Sequence, residues 1–269
     1  MKNEALAPQA IRRPGIYWAI SDTWELFKRS LIRILRTPDQ LITGVILQPI
    51  LLTVLFSIVF GGSIATGEVN YISFLIPGIL VTNAITISTV TLVSVASDMN
   101  SGIIDRFRSL PMKTSSILGG TMLSVALRCL ASLIVMIPVG LLFGFHPHAS
   151  VAAWALVTGL VALVAYVFAW LLAPMGITAK SAEGAQQMAG LVWPFFFLSS
   201  AFVPVKGMPG WLQGFANNQP LSQAIDAIRA LLLGKPVGDH VTMTLLWSLG
   251  LLIIAVPLSM IMFKRQFNK

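Results

Sequence analysis

Charges are so sparse along this chain that most of it cannot form the surface of a water-soluble protein. No Asp, Glu, Lys or Arg occurs from 40 to 67, from 69 to 97 or from 129 to 179. A helix crosses a hydrocarbon core of about 30 Å with about 20 apolar residues, at about 1.5 Å per residue. Each of these runs meets that length. Of the 269 residues, 56% are hydrophobic and 10% charged, against about 25% charged in soluble domains. The expected fold is an all-α integral membrane protein, a single transmembrane domain over 1–269.

Six spans are expected, near 40–60, 72–97, 116–144, 151–179, 185–203 and 242–263. The fifth is the shortest and carries Pro194, where a kink is expected. An even number of spans puts both ends on one side. Lys2, Arg12, Arg13, Lys28, Arg29, Arg33, Arg36, Arg106, Arg108, Lys113, Lys180, Lys264, Arg265 and Lys269 then share a side. Only Lys206, Arg229 and Lys235 lie on the other, and Arg128 falls within the third span. This bias of 14 cations to 3 is the positive-inside signature, so both termini are expected to be cytoplasmic. The net charge of +8 thus reads as membrane orientation, and no nucleic-acid partner is expected. The first apolar run begins too late for a secretory leader, so an uncleaved anchor is expected. Cys129 is the sole cysteine, and no disulfide framework can form.

Three polar segments carry pattern. In 15–37, Tyr17, Ile20, Trp24, Phe27, Leu31 and Ile34 recur at spacings of three and four. Lys28, Arg29 and other charges fill the remaining faces. That is an amphipathic helix lying in the membrane interface. It either anchors the chain to anionic lipid or also helps form a docking surface. Segment 98–115 must sit in water between two spans. Gly102 allows a turn and Pro111 ends the segment. Between them Ile103, Ile104, Phe107 and Leu110 form an apolar ridge flanked by Asp105, Arg106 and Arg108. A short helix of this kind suits a groove on a soluble partner. Segment 204–240 is external yet semi-apolar. It reads as two short re-entrant helices roofing something, since backbone at membrane depth needs protein or a cavity around it.

Catalytic signatures do not surface. The sequence holds no His-Glu-x-x-His, no Gly-x-Ser-x-Gly and no phosphate-binding loop of the form G-x-x-x-x-G-K-[ST]. No catalytic residue and no metal ligand is assigned. His146-Pro147-His148 reads as an ordinary external turn. Arg128, charged within a span, must face protein or water. It is either a structural cation or a contact for a polar group of a transported solute. Span two carries a hydroxyl and amide stripe that includes Asn83 and Thr86. The stripe serves close helix contact or lines a path. Trp193-Pro194-Phe195-Phe196-Phe197 is either a lipid-facing belt or a wall for flat apolar solutes.

Ser-Gly-Ile-Ile-Asp-Arg-Phe-Arg-Ser-Leu-Pro-Met at 101–112 resembles the cytoplasmic coupling loop of type-2 ATP-binding-cassette exporter permeases. Trp-Leu-Gln-Gly-Phe-Ala-Asn-Asn-Gln-Pro-Leu at 211–221 is similar to the external segment before their last span. With the interface helix and six spans, the chain resembles the daunorubicin-resistance permeases over nearly its whole length. The resemblance implies a bacterial cytoplasmic-membrane exporter of hydrophobic or amphipathic solutes such as drugs, lipids or glycoconjugates. It implies a separate ATPase subunit that binds ATP and Mg²⁺, so no cofactor is expected in this chain. It also implies a second permease, identical or a sister chain. A stand-alone channel or carrier is the alternative. An intramembrane enzyme would need a polar constellation that the sequence lacks.

Overall fold

In the computed structural model, residues 47–61, 69–100 and 114–267 are described. Every regular element among them is helical. In chain order these are α1 (Gln48–Phe60), α2 (Tyr71–Asn100), α3 (Thr114–Leu142), α4 (Val151–Thr178) and α5 (Ala182–Ala189). Then follow α6 (Trp193–Phe197), α7 (Gly210–Asn218), α8 (Pro220–Leu232) and α9 (His240–Phe267). Helices α2, α3, α4 and α9 are long and apolar enough to cross a membrane. They correspond to the expected second, third, fourth and sixth spans. The first expected span is represented by α1. Its residues 40–46 lie outside the described residues, as do the 15–37 segment with Trp24, Phe27, Lys28 and Arg29. Residues 101–113 of the segment expected to dock a partner also lie outside them.

The fifth expected span, 185–203, is not among these four helices. Residues 185–203 do not form one helix. Helix α5 passes through a 3-10 turn at Gly190–Val192 into the five-residue α6, and 198–203 form turns. Pro194 was expected to kink a span. It instead sits in the first turn of α6, where its missing N–H costs nothing. The break falls at the 3-10 turn before it.

Helix α2 is central and α9 peripheral. Within their most apolar windows, 72% of α2 is buried but only 17% of α9. Large apolar side chains of α9, among them Leu249, Ile253 and Ile254, point outward. A bilayer makes that arrangement inexpensive, because lipid tails are as apolar as leucine. Small and hydroxyl residues let the central helices approach. A Cβ on Gly176 of α4 would stand 2.5 Å from the Leu92 carbonyl oxygen of α2. Ser88 Oγ donates across the same pair to the Ala165 carbonyl at 2.8 Å. Ser259 Oγ of α9 donates to the Trp170 carbonyl of α4 at 3.0 Å.

The two ends of the bundle differ. At one, His148 N donates to the Leu232 carbonyl at 2.8 Å. His240 Nδ1 lies 2.8 Å from Gln223 Oε1 there, fastening α9 to α8. At the other end, Asn100 Nδ2 donates to the Ala179 carbonyl at 3.4 Å. Asn100, Lys180 and Arg265 share a recess of about 570 Å³ at that end.

Candidate functional site

Helix α8 opens with Pro220 in its first turn and buries Leu221, Ile225, Ile228 and Leu232 on one face. Asp226 and Arg229 fall three residues apart, one turn along the helix, and they form an ion pair. Arg229 Nε also donates to the Phe74 carbonyl at 3.1 Å, and a terminal guanidinium nitrogen donates to the Ser200 carbonyl at 2.7 Å. The guanidinium stands 3.8 Å over the Phe74 ring, within cation–π range. Ser200 Oγ donates to Asp226 Oδ1 at 2.9 Å, and Ser200 N to Ser222 Oγ at 3.1 Å. Burial pulls the Arg229 pKa down to about 10, and Asp226 pushes the other way. The side chain therefore stays cationic at neutral pH.

Three segments meet in this clasp: the first turns of α2, the 198–203 turns and α8. A further contact fixes the geometry. A Cβ on Gly78 would stand 2.3 Å from the Ala201 carbonyl oxygen, so only glycine permits this approach. Tyr71 Oη donates to the Phe202 carbonyl at 3.1 Å. Phe202 in turn stacks on Phe56 of α1 at 4.5 Å.

Beside the clasp lies a pocket of about 520 Å³, within the range of small-molecule sites. Its walls come from α4, the α5–α6 segment, the α7–α8 junction and the first half of α9. Ile85, Leu172, Phe196 and Leu221 form a buried floor. Leu171, Leu191, Phe195, Phe215 and Trp247 form an exposed rim. Asn218 and Gln219 are the polar residues of the lining. Gln219 Nε2 is engaged with the Leu198 carbonyl at 2.6 Å and Ser222 Oγ at 3.3 Å. The pocket offers apolar contact and aromatic faces, with no charged side chain in its lining.

The residues proposed for a solute path separate into three places. Phe195 and Phe196 line this pocket, one at the rim and one in the floor. Asn83 and Thr86 do not. They line a crevice of about 10 Å³ on the far side of Phe196. Asn83 bonds Ser132 on α3, and Thr86 Oγ1 returns to the Thr82 carbonyl at 2.9 Å. Asn83 thus joins two helices, whereas Thr86 satisfies its hydroxyl on its own helix. Arg128 is half-buried on α3 and lines neither space. The sequence assigns Arg229 only to the external side and does not reveal it as the anchor of this clasp. The Asp226–Arg229 spacing was the available signal.

The ABC-2 type transporter family matches residues 21–233. The chain belongs to that family. It is 30% identical over 257 residues to the daunorubicin resistance ABC transporter permease protein DrrB1 of Streptomyces coeruleorubidus, covering 94% of this chain and 90% of that protein. It is 29% identical over 224 residues to the probable doxorubicin resistance ABC transporter permease protein DrrC of Mycobacterium tuberculosis, covering 81% of this chain and 80% of that protein. ABC transporter G family member 20 of Dictyostelium discoideum is 28% identical over 198 residues, which is 70% of this chain and 26% of that longer protein. The chain is thus a multi-pass membrane protein of the ABC-transporter permease kind.

Proposed function

We propose that this chain is the membrane subunit of an ATP-driven exporter that moves a hydrophobic or amphipathic solute out of the cytoplasm or inner leaflet. The observation that carries the reading is the family match over 21–233, joined by a drug-resistance permease similar along 94% of the chain. The apolar pocket with Phe195 and Phe196 in its lining supports an apolar cargo. A separate ATPase subunit binds ATP and Mg²⁺ and performs hydrolysis. A second permease, identical or a sister chain, completes the unit. The end carrying Lys180, Lys264 and Arg265 is cytoplasmic, and the α7–α8 hairpin roofs the external end of a bacterial cytoplasmic-membrane protein.

In this reading the ATPase docks on 98–115 and on the 15–37 helix. ATP binding shifts the permease between two packings. Phe107 is the apolar anchor, flanked by Asp105, Arg106 and Arg108. Removing a buried aromatic anchor from an interface commonly costs at least about 2 kcal/mol, which is roughly a thirtyfold loss of affinity. Phe107→Ala is therefore expected to lose the ATPase subunit in a detergent pull-down while still inserting in the membrane. Arg106→Glu should lose it less completely. Wild-type retention by both variants would remove 98–115 as the docking element.

A further inference from the structure

The recess of about 570 Å³ lies where the ends of α2, α4 and α9 meet. It sits at the level where two uncharged runs stop. Helix α4 carries no charge from 151 to 179, and α9 none from 241 to 263. Lys180 and Arg265, just past those runs, line the recess, and Ile177 and Met262 give it an apolar base. Other polar groups there are already engaged. Asn100 Nδ2 donates to the Ala96 and Ala179 carbonyls at 2.7 and 3.4 Å. Thr178 Oγ1 donates to the Pro174 and Met175 carbonyls, both at 3.1 Å. Lys180 and Arg265 form no hydrogen bond or ion pair with any of the described residues. Neither is therefore consumed in capping the carbonyls at these helix ends. Two cations share one cavity whose lining holds no carboxylate. Asp98 and Glu183, close in sequence, stay outside that lining.

The recess continues into the hydrocarbon. Ile254, Leu258, Ile261 and Arg265 succeed one another along α9 at spacings of four, three and four, which makes them one stripe of the helix. The three apolar members are each at least 46% exposed. A phosphate held by Arg265 and Lys180 has an apolar track running away from it toward the bilayer centre.

We propose that this recess binds the phosphate of an anionic glycerophospholipid, with an acyl chain lying along the α9 stripe. Basic recesses between spans at a membrane surface suit such head groups. Phosphatidylcholine brings its own cation toward the same two charges. A free phosphate gains the charges but not the track. The lipid is a bound ligand at the interface and not the cargo, so the inference stands without the exporter reading. Only the choice of the cytoplasmic leaflet rests on that reading.

The test is native mass spectrometry of the full chain released from detergent micelles with added phosphatidylglycerol or phosphatidylcholine. Two cations at an anionic surface give an expected retention of phosphatidylglycerol roughly tenfold above phosphatidylcholine. Lys180→Gln with Arg265→Gln should bring the two lipids level. Lys180→Arg with Arg265→Lys keeps both charges and should keep the preference, which separates lost charge from lost fold. Lys206→Gln with Lys235→Gln, at the opposite end, should change nothing. Inorganic phosphate in excess should not displace the lipid. Equal retention of the two lipids by the unaltered chain would overturn the proposal, as would an unchanged preference in the Gln pair. Displacement by inorganic phosphate would overturn it by showing an anion site that needs no lipid. So would loss of a co-purified ATPase subunit from the Gln pair with the lipid preference intact, which would give the recess to a protein partner.

Discussion

Arg229→Met is expected to destabilise the protein by about 3 kcal/mol. Breaking a buried ion pair by removing one partner costs about 3–5 kcal/mol, and the lower end applies because the Asp226 side chain is 25% exposed. The loss has three parts. Asp226 is left without its cation, and the Phe74 and Ser200 carbonyls lose their donors. For a chain of this size the shift in melting temperature in detergent should be roughly 6–12 °C. Arg229→Lys should recover only part of it, because an ammonium does not reproduce the fork that reaches two carbonyls and a carboxylate. Asp226→Leu combined with Arg229→Met should be milder than Arg229→Met alone, because the orphaned charge is gone. Wild-type melting of Arg229→Met would show that the clasp holds nothing together.

Gly176→Val is expected to be comparably severe for a different reason. Its Cβ would stand 2.5 Å from the Leu92 carbonyl oxygen, and that neighbour is backbone. The pair α2–α4 must separate, with a cost of about 3 kcal/mol, the upper end for overpacking. The Ser88 bond to Ala165 would be strained in the same motion. Gly159, on the same helix, has nothing within 4 Å of the equivalent position. Gly159→Ala should therefore be neutral or slightly stabilising, since alanine is favoured over glycine in a helix by about 1 kcal/mol. Equal thermal stability of Gly176→Val and Gly159→Ala would contradict the close-packed account of the α2–α4 pair.

The long spans were legible because hydrocarbon imposes a simple demand. A run without charge that is long enough to cross must be helical, and 69–97 and 129–179 state that in their residues. The fifth segment was less legible. Gly190 and Pro194 both signal a break, but helix-compatible backbone runs through Gly190–Val192 in a 3-10 turn, and composition does not reveal where a turn tightens. Phe195 and Phe196 stood out as aromatics, yet exposure separates them: one is 53% exposed and the other 2%. Residues such as Leu172, Met175 and Trp247 gave no warning, because a lipid-facing leucine and a pocket-lining leucine are the same letter. Arg229 shows the same limit in polar chemistry. Its sequence neighbour Asp226 was visible, but the Phe74 and Ser200 acceptors are main-chain carbonyls, which every residue possesses. Polar residues of span two proved ambiguous for a physical reason too. A hydroxyl can satisfy itself on its own helix, as Thr86 does, or reach across, as Ser88 does.

If the proposed function holds, this permease moves an apolar solute only when an ATPase subunit drives it. The direct measurement is uptake of a panel of apolar amphiphiles, daunorubicin included, into proteoliposomes holding the permease with its co-purified ATPase. Uptake should require both ATP and the ATPase, and Phe107→Ala should abolish it. Uptake that proceeds equally without the ATPase or ATP would make the chain a channel or carrier and would contradict the account.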